Sequence, residues 1–124
     1  MPEILFWLYL TNTVLLIVHE MDSVYWKEWD LFGLSGGVTN FLLIHFPLLF
    51  LGLYGLVLVF QRTFAGLIFS LVISLAGLGG FAIHTFFIRK GHKEFTTLVS
   101  LFILRGMLIV SLAQAAVTIY LLRR

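Results

Sequence analysis

The sequence predicts an all-α integral membrane protein: a four-helix bundle with a short interfacial segment between helices one and two. Three observations carry this. Of 124 residues, 60% are hydrophobic and 11% charged, against roughly 45–50% and about 25% in soluble domains, and the mean hydropathy is +1.05. Eight Lys/Arg and six Asp/Glu cannot cover a water-facing surface of this size. Charges also break the chain into four apolar stretches, and a hydrocarbon core of roughly 30 Å needs about 20 helical residues. Finally, no strand-like alternation runs through them, and lipid offers no water to backbone polar groups, so the stretches must be helices.

Residues 1–124 read as a single four-helix transmembrane domain, with helices at about 4–20, 38–60, 64–88 and 95–122. The apolar run Ile4–Val18 is short for a span unless His19 and Glu20 extend it into the interface. Met1-Pro2-Glu3 lacks a basic leader and no small-residue cleavage site follows, so the run is read as a retained span. Met21–Gly37 interleaves Tyr25, Trp26, Trp29 and Phe32 with Asp22, Lys27, Glu28 and Asp30. This pattern suits a headgroup-level segment ending in the Gly33–Gly37 turn. Gln61-Arg62-Thr63 makes a tight hairpin between helices two and three. Pro47 should bend helix two beside His45, Ala76 and Gly80 are spaced as a small-residue packing pair, and Asn12 and Gln114 read as interhelical hydrogen-bond glue.

Let face A carry the N-terminus and face B the other side. Arg62, Arg123 and Arg124 fall on face A, and Lys27, Arg89, Lys90 and Lys93 on face B. The Lys/Arg balance is nearly even. The gathering of Glu20, Asp22, Glu28, Asp30 and Glu94 on face B is what leans the reading toward face A in the cytoplasm. Both termini share that side, in what is expected to be a bacterial inner membrane. Without a long basic run, nucleic acid is not an expected partner. Zero Cys removes disulfides, thiolate metal sites and cysteine catalysis.

Two antiparallel reversals bring His19, His45, His84 and His92 to face B, along with most of the acids. His45 and His84 lie within spans, where ionisable residues are costly and face the bundle interior. Imidazole with carboxylate suits a transition metal, zinc or iron foremost. The candidate ligands are His19, Asp22, His45, His84, His92 and Glu94, with Glu20 or Glu28 as general base. His19 and Asp22, three apart, could share one helix face. Arg105, seven to ten residues into helix four, needs a counter-charge, and an anionic ligand such as a lipid headgroup is one candidate. The bland alternative is that the histidines snorkel or bond across helices, at about 0.6 kcal/mol each.

In order along the chain stand His19-Glu20-Met21-Asp22, Lys27-Glu28-Trp29, His45-Phe46-Pro47-Leu48, His84 before Phe86-Phe87, and Gly91-His92-Lys93-Glu94-Phe95. This order resembles an uncharacterised family of small four-helix bacterial membrane proteins. Its pattern is His-Glu-Leu-Asp, Glu-Trp, His-x-Pro-Leu and Gly-His-x-x-x-Phe. The resemblance implies four spans and a polar His/carboxylate cluster, and brings no activity. Met21 stands where that pattern has Leu. Lys27 precedes Glu28 where a more polar neighbourhood is expected, and Gly80 stands where relatives carry a further His, which weakens the case for two metals. Arg105 lies outside the pattern.

Two readings of function follow. One is an intramembrane metalloenzyme acting on a lipid-soluble substrate, by hydrolysis or oxidation, its site opening at face B beneath a Trp26/Trp29 lid. The other is a non-enzymatic protein: a metal or proton carrier, a homo-oligomer, or a small subunit of a larger membrane complex. Against transport, the face A half holds few polar residues beyond Asn12 and Gln114.

Overall fold

The computed structural model describes residues 2–124. Four long helices, α1 (Pro2–Tyr25), α3 (Gly37–Phe60), α4 (Phe64–Arg89) and α5 (Leu98–Leu122), are joined by loops and one short helix, α2 (Glu28–Leu31). All four long helices have the length and composition to cross a membrane. This is an all-α membrane protein.

Local chemistry sets the element ends. Thr63 caps α4 by accepting the Gly66 N–H at 3.0 Å, and Thr97 caps α5 by accepting the Ser100 N–H at 3.1 Å, each meeting one of the unpaired donors of a first turn. The fourth span was expected from residue 95. Phe95 instead adopts φ +62°, a left-handed conformation that a helix cannot contain, so α5 starts after the Thr97 cap. At the other end, α1 runs past the expected residue 20 to Tyr25, which places His19, Glu20 and Asp22 on its last turns. Before α3 the chain turns through Gly36 at φ +96° and Gly37 at φ +57°, values that a side chain would make costly. The helix is then unbroken across Pro47.

The four helices form a rhombus. α1 and α4 lie on the short diagonal and touch each other, α5 and α3 flank them, and among the described residues α3 and α5 do not meet. α3 is the least buried of the four, with Phe46, Phe50 and Phe60 exposed in the isolated chain and free to face lipid.

The middle of the bundle is held by a polar layer. Asn12 Nδ2 donates to Ser111 Oγ at 3.0 Å and to Gln114 Oε1 at 2.8 Å. Gln114 Nε2 donates to the Ser70 carbonyl and hydroxyl, both at 3.0 Å, and Ser70 meets Thr118 at 2.8 Å. Every member is buried. Tyr9 adds a link to α3, donating to the Gly52 carbonyl at 2.7 Å. The layer needs α4 to come close, and the small stripe that allows it is Gly66, Ser70, Ser74 and Gly77. Ala76 and Gly80 are not that stripe: Ala76 is exposed, being one residue and so about 100° round the helix from Gly77.

A Cβ at Gly77 would lie in steric conflict with Ser111 Oγ and at 3.3 Å from Asn12 Oδ1. Gly77→Ala is expected to cost about 1–3 kcal/mol, and Ser111→Ala in the same chain to return part of it. Denaturation in mixed micelles measures both, and a neutral Gly77→Ala would contradict this account of the layer.

Candidate metal centre

At the face B end, three buried side chains from three elements converge. His19 comes from α1, Glu28 from α2 and His84 from α4, at 3%, 8% and 3% exposure. One ligand atom from each lies within 4.8 Å of the other two. A point in their midst is then within about 2.8 Å of all three, and ligand bonds to zinc run about 2.0–2.2 Å, so small side-chain shifts would close the site.

His84 is fixed by its own helix. Nδ1 lies 2.7 Å from the Gly80 carbonyl oxygen, and a carbonyl can only accept, so Nδ1 carries the hydrogen. Nε2 then presents a lone pair, and 3.1 Å away is Glu28 Oε1. Two acceptors do not attract. The contact requires a shared proton or a cation, and no protein hydrogen bond is made at His84 Nε2. Burial pushes the Glu28 carboxyl up, but the contact with His84 and the charges of His84 and His19 pull it down further, leaving it below its ordinary value. Gly80 therefore serves this site through its backbone, although the sequence marked it only as a packing partner of Ala76 and as the place of a missing histidine. A Cβ there would sit 2.9 Å from Met107 Cε.

The same arrangement recurs beside it. His45 Nδ1 donates to the Phe41 carbonyl at 2.7 Å, the Phe41 ring stacks on the imidazole at 3.9 Å, and His45 Nε2 meets Glu20 Oε2 at 2.6 Å. Glu20, Glu28 and His45 together line one chamber of about 380 Å³, with Trp29 and Asn40. Glu20 and His45 also line a second, apolar cavity of about 440 Å³ between α1, α3 and α4.

Phe95 closes the cluster from the loop side. Its ring lies 4.3 Å from that of His84 and 5.4 Å from that of His19, and the His19 and His84 rings meet edge-on at 4.5 Å. Phe95 is 1% exposed with φ +62°, a strained conformation for an aromatic residue that persists only where its surroundings hold it. The sequence signal for it was the Phe that ends Gly91-His92-Lys93-Glu94-Phe95. Nothing in composition or spacing gave it a role.

Other expected site residues are elsewhere. Asp22 accepts from Ser100 Oγ at 2.6 Å, which ties α1 to the first turn of α5, where a carboxylate also meets the positive helix end. His92 Nδ1 and Glu94 Oε2 stand 3.7 Å apart in the α4–α5 loop, their side chains 44% and 34% exposed. Arg105 is exposed on α5 and makes no ion pair among the described residues. Leu104 and Met107 take the inward face of that turn, which turns Arg105 outward from the cluster.

The class is thus a small four-helix membrane protein with a buried His/Glu group at one end of its bundle. The chain belongs to a family of unknown function (DUF6713), whose profile covers residues 5–121. No curated protein and no solved structure matches it.

Asp22→Asn and Ser100→Ala break one contact from its two sides. Each is expected to cost about 1–2 kcal/mol, with the double variant little worse than either. A double-mutant cycle in denaturant measures this, and fully additive losses would show that the two residues act separately.

Proposed function

We propose that this protein binds one divalent transition metal, zinc or iron, through His19, Glu28 and His84, and acts as an intramembrane metalloenzyme on a lipid-soluble substrate. The observation that carries the reading is His84, whose hydrogen is committed to the Gly80 carbonyl while its free lone pair faces a carboxylate. Metal-binding histidines are commonly oriented by such a second hydrogen bond. Two histidines and one carboxylate leave coordination positions open, as in catalytic zinc sites and in non-haem iron sites. The surrounding Phe32, Phe95 and His rings keep the site dry, which strengthens attraction between cation and ligands.

In this reading Glu28 is a ligand, which leaves Glu20 of the two bases, Glu20 or Glu28, expected from sequence. The base is Glu20, held by His45 and bordering the same chamber. A metal held there would supply Lewis-acid chemistry, and the Glu20 carboxylate would take up the proton released. The α2 segment brings Glu28 and Trp29 over the chamber, from a turn in which Lys27 has φ 51°.

A second reading rests on the same two contacts. Each His–Glu pair could hold one proton in place of a metal, giving a pH-responsive membrane subunit or carrier. Metal content separates the two.

Protein purified without chelator is expected to hold about one equivalent of metal. His84→Ala, His19→Ala and Glu28→Gln should lose it, while His92→Ala and Asp22→Asn keep it. Elemental analysis of the monodisperse protein checks this. Metal absent from the wild type even after incubation with zinc and iron(II) would overturn the metalloenzyme reading and favour the proton-holding one.

A further inference from the structure

From Arg62 and the hollow it borders at face A, we infer that the protein binds an anionic phospholipid there, with the lipid phosphate on the Arg62 guanidinium. The inference is independent of the metal centre, which lies at the opposite end of the bundle. Backbone geometry singles out Arg62. At the end of α3 the Thr63 N–H returns to the Leu58 carbonyl at 3.1 Å, and the Arg62 N–H to the Val59 carbonyl at 2.9 Å. This pair of bonds closes a helix through a left-handed residue, ordinarily glycine, and Arg62 takes that place at φ +57°. A Cβ is costly in this conformation, so the turn itself gains nothing from an arginine. The surroundings of the side chain supply its use. Arg62 lines a hollow of about 300 Å³ to which all four long helices contribute, through Leu5, Val59, Leu67 and Leu121. Leu5 and Val59 are buried, while Trp7, Phe60 and Phe64 stand exposed at the same end, as aromatic side chains do at the headgroup level.

Charge decides the head. Arg62 makes no ion pair among the described residues. Arg123 and Arg124 follow closely on Leu121, and Glu3, which lines a smaller hollow that Arg62 also borders, is the one acidic side chain at this end. Three guanidinium groups against one carboxylate leave face A in want of anions. A phosphodiester suits the fork of a guanidinium, which can donate two parallel hydrogen bonds to it. A glycerol head brings no cation of its own, whereas a choline head would carry an ammonium in among Arg62, Arg123 and Arg124. With the phosphate on Arg62, the upper part of an acyl chain lies against the leucines of the larger hollow. The partner is accordingly a phospholipid of net negative charge.

The full-length protein, delipidated in mild detergent, is titrated with phosphatidylglycerol or with phosphatidylcholine of the same chains, and native mass spectrometry reads the first lipid bound. Phosphatidylglycerol is expected to bind about fivefold tighter, the order of attraction between one basic residue and an anionic headgroup. Arg62→Gly should abolish that preference while the melting temperature without lipid stays level or rises, because glycine suits the turn. Arg62→Gln, which keeps the side chain in the left-handed position and removes only its charge, should abolish it as well. Lys90→Gln, at face B, should retain it in full. Equal binding of the two lipids by the wild type, or a preference that survives both Arg62 variants, would overturn the inference. So would an equal loss in Lys90→Gln, which would make the preference a property of total positive charge and leave bulk lipid as the occupant of the hollow.

Discussion

In hydrocarbon an imidazole N–H must find an acceptor within the protein, and in this bundle that constraint fixes the two histidines that matter. Gly80 and Phe41 each take the Nδ1–H of the histidine one turn on. What remains on each ring is a lone pair, and in both cases a glutamate oxygen stands before it, at 3.1 and 2.6 Å. The mid-bundle layer obeys the same constraint with the opposite result. Asn12, Ser111, Gln114, Ser70 and Thr118 satisfy one another through donors and acceptors that match. One polar region is closed on itself, as structural glue should be. The other is short of a positive charge, which a proton or a cation would supply.

Two of the three non-glycine residues at positive φ lie around that second region, the third being Arg62 in the α3–α4 hairpin at the other end. Lys27 and Phe95, both non-glycine residues at positive φ, sit at the start of α2 and in the loop before α5. Such positions cost on the order of 1–3 kcal/mol each and tend to collect at functional sites. Here one turns the chain so that Glu28 reaches His84, and the other presses an aromatic ring on the paired imidazoles. The Asp22–Ser100 contact then ties α1 to the start of α5, close to that loop. The proposed centre is thus built by loops pinned to a rigid bundle, while the bundle's own cohesion comes from the polar layer and the small residues of α4.

Much of this was legible in the sequence. Four spans follow from apolar length alone, and the arrival of every histidine at one end follows from counting reversals. Asn12 and Gln114 were recognisable as glue because uncharged amides in hydrocarbon must pair. Depth along a helix, however, is easier to read than azimuth around it. His19 and Asp22 are at similar depth, but a rotation of some 60° turns Asp22 toward Ser100 and away from the cluster. Arg105 was singled out for its depth, while its direction, set by Leu104 and Met107 facing inward, stayed hidden. Glu28 was expected only as a candidate base and not as a neighbour of His84, because its place depends on a left-handed turn at Lys27 that no residue preference announces. The role of the Gly80 backbone carries no side-chain signal at all.

The central claim concerns which nitrogen of His84 carries its hydrogen and what the other nitrogen holds. Solid-state NMR of ¹⁵N-histidine-labelled protein in bilayers, before and after one equivalent of zinc, reads both directly, with His84→Ala used for assignment. The account predicts a protonated Nδ1 on His84 in both states. On adding zinc, His84 Nε2 and one ring nitrogen of His19 should move to metal-bound shifts while His92 does not. A His84 protonated at Nε2 alone, or a spectrum that zinc leaves unchanged, would contradict it.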